Sequence, residues 1–146
     1  MITLKQVTWP EYRTYLALVG KKELTLNISG LFNIRTNNVV EKNPYDSDDI
    51  FYVLFDGKSP VGFTNINVGD VIWIGDFQII QSRKGQGLGT EFFNRLKKEY
   101  PGKVFQCNYI GMMARHFWLR QGFVNVGTST PKQITRLLEY DPTKKQ

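Results

Sequence analysis

The residues best placed to do chemistry form one short run, QSRKGQGLGTEFFNRLKK, from Gln81 to Lys98. Gly85, Gly87 and Gly89 fall at alternate positions and lead straight into a helical spacing of Leu88, Phe92, Leu96 and Tyr100. The first N–H groups of a helix have no partner within it, and the aligned peptide dipoles add partial positive charge there. Glycines let such a backbone approach a ligand closely and take conformations that a Cβ forbids. With Arg83 and Lys84 at its entrance, the run reads as a binding site for phosphate groups.

Nucleophiles and acid–base groups are few. Cys107 is the single cysteine and His116 the single histidine. Cys107 lies in the strand-like run KVFQCNY, where a small core residue is a simpler reading than a nucleophile without a base beside it. His116 falls in a helical run next to Arg115 and reads as a surface residue. Asp76 is more unusual. It sits mid-strand in WIGDFQI, where an acidic residue is locally unfavourable, so it either faces solvent or serves a task. One histidine and one cysteine do not make a zinc site, and no metal is expected.

The elements that must position these groups follow from periodicity. MITLKQV reads as a strand, and TWPEYRTYLALVGKK as a helix with Thr8 and Glu11 at capping-box spacing and Pro10 in the first turn. ELTLNISGLFNIRTNN reads as a second helical piece, interrupted by Gly30. Residues 50–81 hold three β-rich runs, punctuated by Asp56-Gly57 and by Asn67 to Asp70. The glycine-led helix runs from about Gly87 to Tyr100, and Pro101-Gly102 stops it. KVFQCNY, the helix GMMARHFWLRQ, and the strands FVNVG and KQITRLLEY complete the order β-α-α-β-β-β-α-β-α-β-β. This is a mixed α/β (α+β) layout, with a parallel strand pair expected where helices separate the late strands.

At 146 residues the chain is expected to form a single domain, residues 1–146, able to bury its own core without disulfides. The start is too polar for a secretory leader, and no window approaches a membrane span, so no membrane partner is expected. A lone cysteine fits a reducing, cytoplasmic setting. The formal net charge of +6 suits a phosphate-rich cofactor, a nucleic acid or an acidic protein. No nucleic-acid motif selects the second of these: IFYVLF lacks the glycine and basic residues of an RNA-recognition strand.

Three phosphate-binding patterns compete for the glycine run. A P-loop fails, because the one Gly-Lys-Ser, Gly57-Lys58-Ser59, has Tyr52 in its first glycine slot and Pro60 where a helix should start. A dinucleotide fingerprint fails, because Thr90 fills its third glycine slot and no acidic residue follows at the required distance. The third fits. Lys84-Gly85-Gln86-Gly87-Leu88-Gly89 resembles the [RQ]-x-x-G-x-[GA] loop of the GNAT-type N-acetyltransferases, with lysine in the first slot. ARHFWLRQGF, Ala114 to Phe123, resembles the family's second signature, A-x-x-[FL]-Y-x-x-x-G-F. The spacing and strand order match along nearly the whole chain.

This resemblance implies a central, mostly antiparallel sheet splayed between its fourth and fifth strands and flanked by helices. It implies acetyl-CoA as co-substrate, with the amides of Lys84, Gly85, Gln86, Gly87, Leu88, Gly89 and Thr90 on its pyrophosphate. The edge of Phe77, Gln78 and Ile79 would lie along the pantetheine arm, and a bulge in that strand would leave an amide for the thioester carbonyl. Asn108, on the facing strand, becomes a cofactor contact. The implied reaction is direct attack by a primary amine, of a small molecule or a protein, in a ternary complex. Its base would be an acidic residue near the splay, and Asp76 is the first candidate. The family's usual tyrosine acid is replaced by Trp118, whose indole releases no proton in this range, and an asparagine often found near the motif is Gly111. Tyr109 or a water would then serve as acid, or the thiolate would leave unassisted. The alternatives are a catalytically silent coenzyme A-binding module and a basic nucleic-acid-associated protein. Either a monomer or a homodimer is compatible with these features, and the acceptor's identity is not legible.

Overall fold

The computed structural model describes residues 1–24, 31–33, 35–109, 112–127 and 137–144. Strand β1 (Ile2–Val7) leads into helix α1 (Trp9–Val19), which opens with the expected capping box. Thr8 Oγ1 accepts from the Glu11 amide, and the Glu11 carboxylate accepts from the Thr8 amide at 3.0 Å. Two of the donors that every helix start leaves unpaired are thereby satisfied.

The three β-rich runs form a meander of β2 (Ile50–Asp56), β3 (Ser59–Val68) and β4 (Val71–Ile79). The glycine-led helix is α2 (Leu88–Glu99), followed by β5 (Val104–Asn108), α3 (Met112–Arg120), β6 (Val124–Asn125) and β7 (Leu137–Tyr140). They make one seven-stranded sheet in the order β1-β2-β3-β4-β5-β7-β6. Every neighbouring pair is antiparallel except β4 and β5, which α2 joins by a crossover. Among the described residues, no helix is long and apolar enough to cross a membrane.

Helices cover both faces of the meander, which is why β2 reads as an unbroken apolar run with Phe51 to Phe55 all buried. Tyr12 of α1 packs on Phe51 and Phe63, and Tyr15 on Phe55. On the opposite face, Phe92 of α2 lies 4.7 Å from Phe77 between ring centroids, and Phe93 packs on Phe105, Trp118, Phe123 and Tyr140.

The second helical piece is not borne out where it can be followed. Residues 25–30 and 34 lie outside the described set, but Leu31 to Val40 fold back on themselves. Phe32 bridges Val39, and Val40 N–H donates to Leu31 O at 2.9 Å. Asn33 Oδ1 accepts from the Arg35 amide at 2.9 Å, and Asn37 takes a left-handed φ of 59°. Asparagine side chains that bond their own backbone and tolerate that conformation draw a segment into turns. Arg13 of α1 clamps the result, donating to the carbonyls of Val39 and Val40. The closing strand is seen only from Leu137 onward, because residues 128–136 lie outside the described set, as does Gly111 before α3.

Candidate active site

The glycine run turns the chain twice before α2 begins. Gly85 and Gly87 both adopt φ of 79°, the left-handed region that costs other L-residues about 1–2 kcal/mol. Gly87 is the N-cap of α2 and has no side chain to offer. The amides of Gly87, Leu88, Gly89 and Thr90 accordingly donate to no acceptor among the described residues, and the first bond of the helix runs from Glu91 N–H to Gly87 O. Gly89 meets a different demand: a Cβ there would sit 2.8 Å from Cε1 of Phe117 in α3. The loop is thus a row of N–H groups at the positive end of a helix, unpartnered among the described residues, a fit for a phosphate-bearing cofactor.

Two charges at its entrance behave differently from each other. Arg83 is committed to the protein: its Nη2 donates to Asp56 Oδ2 at 2.8 Å and its Nε to Gln86 Oε1 at 2.8 Å. The Arg83 guanidinium in turn helps hold the Asp56 carboxyl below its ordinary range. Lys84 keeps an exposed side chain, but its amide is engaged with Gln81 O at 3.3 Å. Of the residues expected at the pyrophosphate, Lys84 therefore offers its ammonium rather than its N–H.

The sheet forks beside this loop. β4 and β5 pair only from Val71↔Val104 to Ile74↔Cys107. Past that point, among the described residues, β4 continues through Gly75 to Ile79 along β3 only, while β5, paired with β7 from Phe105 onward, extends to Asn108. Phe77, Gln78 and Ile79 lie on the β4 prong and Asn108 on the β5 prong, as the resemblance implies for the splay. Gln78 is buried, and it pairs with Phe63 of β3.

At the base of the fork β4 carries a bulge. Thr64 pairs with Phe77 and Ile66 with Ile74, leaving Gly75 and Asp76 opposite the single residue Asn65. The Asp76 side chain is half-buried rather than solvent-facing, and its Oδ2 accepts from Tyr45 Oη at 2.5 Å. Burial pushes the Asp76 carboxyl above its ordinary range, the Tyr45 hydrogen bond opposes this, and the nearby negative charge of Asp49 adds to it. Tyr45 stays a donor, since burial, followed by Tyr12 and Asp76, drives its phenol well above the usual range. The bulge amide itself is not free: Asp76 N–H donates to Asn65 Oδ1 at 2.8 Å.

The remaining candidates separate cleanly. Cys107 is buried, and desolvation pushes its thiol up to about 12, so it is no nucleophile. His116 is exposed on α3. Trp118 is buried among Phe77, Phe93, Phe117 and Phe123, with its ring 4.9 Å from that of Phe77. Tyr109 follows β5 directly, two residues past the last pair with β4, and is half-buried. Tyr45, Asp49 and Asn65 escaped the sequence reading. The first two lie in or beside the polar cluster EKNPYDSDD, which reads as a turn, and no local signal ties them to a strand more than ten residues on.

A family model described as the acetyltransferase (GNAT) family matches residues 9–123. A search of curated proteins returns no match. Solved structures share the fold across nearly the full chain. An acetyltransferase from Thermus thermophilus is 20% identical, with a TM-score of 0.64 over 97% of each chain. The ribosomal-protein-S18-alanine N-acetyltransferase from Escherichia coli is 12% identical, with a TM-score of 0.64 over 95% of this chain and 91% of that one. A structure assigned provisionally to the GNAT acetyltransferases, from Desulfovibrio desulfuricans, is 11% identical, with a TM-score of 0.66 over 97% of this chain and 99% of that one.

Proposed function

Because the chain belongs to the acetyltransferase (GNAT) family, we propose that it is an N-acetyltransferase that moves an acetyl group from acetyl-CoA to a primary amine within a ternary complex. One observation carries this reading: a row of unpartnered helix-start amides, Gly87 to Thr90, lies on the crossover between the two strands whose fork holds a carboxyl of raised proton affinity. Acetyl-CoA, when bound, supplies an acyl group already activated as a thioester. The chain's own residues have three tasks. The amides from Gly85 to Thr90 and the Lys84 ammonium hold negative charge at the mouth of α2. The β4 prong at Phe77, Gln78 and Ile79, with Asn108 opposite, aligns an extended ligand between the prongs. Asp76 takes a proton from the attacking amine. A protonated alkylamine has a pKa near ~10.4, so a base of raised affinity is better matched to it than an ordinary carboxylate.

The reading is tested by adding acetyl-CoA to the protein. The melting temperature should rise, with a stabilisation of about 2.7 kcal/mol at one hundred times Kd. Release of coenzyme A thiol against a panel of amines should then be measurable with a thiol reagent, and the buried Cys107 adds little background. An unchanged melting temperature would reject the cofactor.

A second reading, a coenzyme A-binding module without turnover, is favoured by one observation: position 118 carries an indole packed in the core. Binding without thiol release would select it. If turnover is present, Tyr109 is the proposed acid for the leaving thiolate. Tyr109→Phe should then lower kcat about tenfold or more, and Trp118→Phe should change it only a few-fold. Equal effects of the two variants would remove Tyr109 from this role.

A further inference from the structure

The backbone of Asp76 is held at both ends by side chains of β3. Its N–H donates to Asn65 Oδ1 at 2.8 Å, and its C=O accepts from Thr64 Oγ1 at 2.5 Å. Consecutive residues of a strand point to opposite faces, so the bulge is gripped from above and below. Asn65 is itself buried and engaged on both sides of its amide: its Nδ2 donates to Asp49 Oδ2 at 2.7 Å. Asn67 Nδ2 donates to the other oxygen of Asp49 at 3.2 Å. There is no room for slack in this arrangement, because a Cβ on Gly75 would lie 2.5 Å from Asn65 Nδ2. A bulge of two residues against one would otherwise leave its backbone groups unpaired and its side chain free to swing.

We infer that Asn65 and Asp49 are a positioning pair for the acetyl-transfer site. Asn65 fixes the bulge that aims Asp76, and Asp49 holds Asn65 in place while setting a second negative charge behind the Asp76 carboxylate. This rests on the reading of Asp76 as the base. The titratable groups that face Asp76 are Tyr12 from α1 and Tyr45 and Asp49 from the segment before β2. Both phenols are driven upward, first by burial, so they stay neutral where enzymes work. Asp49 is then the one charged neighbour among these three groups. Its charge disfavours ionised Asp76, and a single substitution can remove that charge while keeping an acceptor for Asn65.

The test uses full-length Asp49→Asn, Asn65→Ala and Asp76→Asn. Titration of the Asp76 carboxyl is followed by carbon NMR in the cofactor-free protein, beside the pH profile of kcat/KM. In Asp49→Asn the Asp76 midpoint should fall by about half a pH unit or more, the scale of one neighbouring charge at a partly buried site. The acid limb of the rate profile should move to lower pH with it, since a base that releases its proton more readily stays active in more acid solution. In Asn65→Ala, kcat should fall by about ten- to a hundredfold while KM for acetyl-CoA changes less than about threefold, the signature of a misaimed group rather than lost binding. An unmoved Asp76 midpoint in Asp49→Asn, or an Asn65→Ala enzyme that loses only melting temperature, would overturn the inference. Full turnover by Asp76→Asn would instead overturn the base assignment, and the NMR titration would still judge the pair.

Discussion

Asp76→Asn is expected to lower kcat by about 10²–10⁴-fold, the usual contribution of a positioned general base, with the acetyl-CoA-dependent rise in melting temperature retained. Asparagine preserves the shape of the side chain and an oxygen to accept from Tyr45 Oη, but it cannot take a proton. The same substitution carries a stability prediction of opposite sense. The folded carboxyl binds its proton more tightly than the unfolded one, chiefly because it is desolvated. Its contribution to stability is therefore fully present below the unfolded pKa and is lost as pH rises through the raised folded value. Above that raised value the wild-type protein holds an ionised, partly buried carboxylate that the asparagine variant does not. The inactive variant should thus melt no lower than wild type at pH 7, and the difference should shrink in acid. A pH series of thermal melts, run beside the assay, checks both halves. A variant that is inactive because it is misfolded would melt lower at every pH.

Phe93→Ala is expected to cost about 3–5 kcal/mol, the range for deleting a fully buried aromatic ring. For a domain of this size that corresponds to a drop of roughly 6–20 °C in melting temperature. The ring is the junction of the second layer. It touches Phe105 of β5, Trp118 of α3, Phe123 and Tyr140 of β7, with centroids 5.2–5.6 Å away. Lys97 lies over the faces of Phe93 and Tyr140 at 5.0 and 5.1 Å, and desolvation lowers its pKa. Removing the ring therefore loosens the α2 side of the β5–β7 arm, one wall of the fork. Thermal unfolding followed by circular dichroism measures the loss. A cost below about 1 kcal/mol would mean that the neighbouring rings collapse into the gap.

How much of this was legible depends on the range over which each feature is decided. The capping box of α1, the meander from Ile50 to Ile79 and the glycine-led helix were legible, because caps, alternation and positive-φ turns are settled within a few residues. The segment after α1 was misread because Asn33 and Asn37 outweigh a weak helical period, and because Arg13 supplies the carbonyls' partner from a different element. Asp76 was legible as an anomaly, but its environment was not. Tyr45, Asp49 and Asn65 reach it across separations of eleven to thirty-one residues through the folded sheet. Arg83 is the same lesson with the sign reversed: a residue that reads as charge offered to a ligand is paired with Asp56, twenty-seven positions away.

The short seam between β4 and β5 has a consequence for how this sheet meets other molecules. An exposed strand edge with unpaired backbone groups is a template for any chain that can lie alongside it, and proteins normally blunt such edges. Here the β4 edge from Gly75 to Ile79 lies inside the sheet, between two prongs joined by four residue pairs, with α2 and α3 packed on one side of it. The fork thus keeps this stretch of β4 away from the outer edges of the sheet, where a neighbouring polypeptide would dock, so the same feature also serves as protection against aggregation.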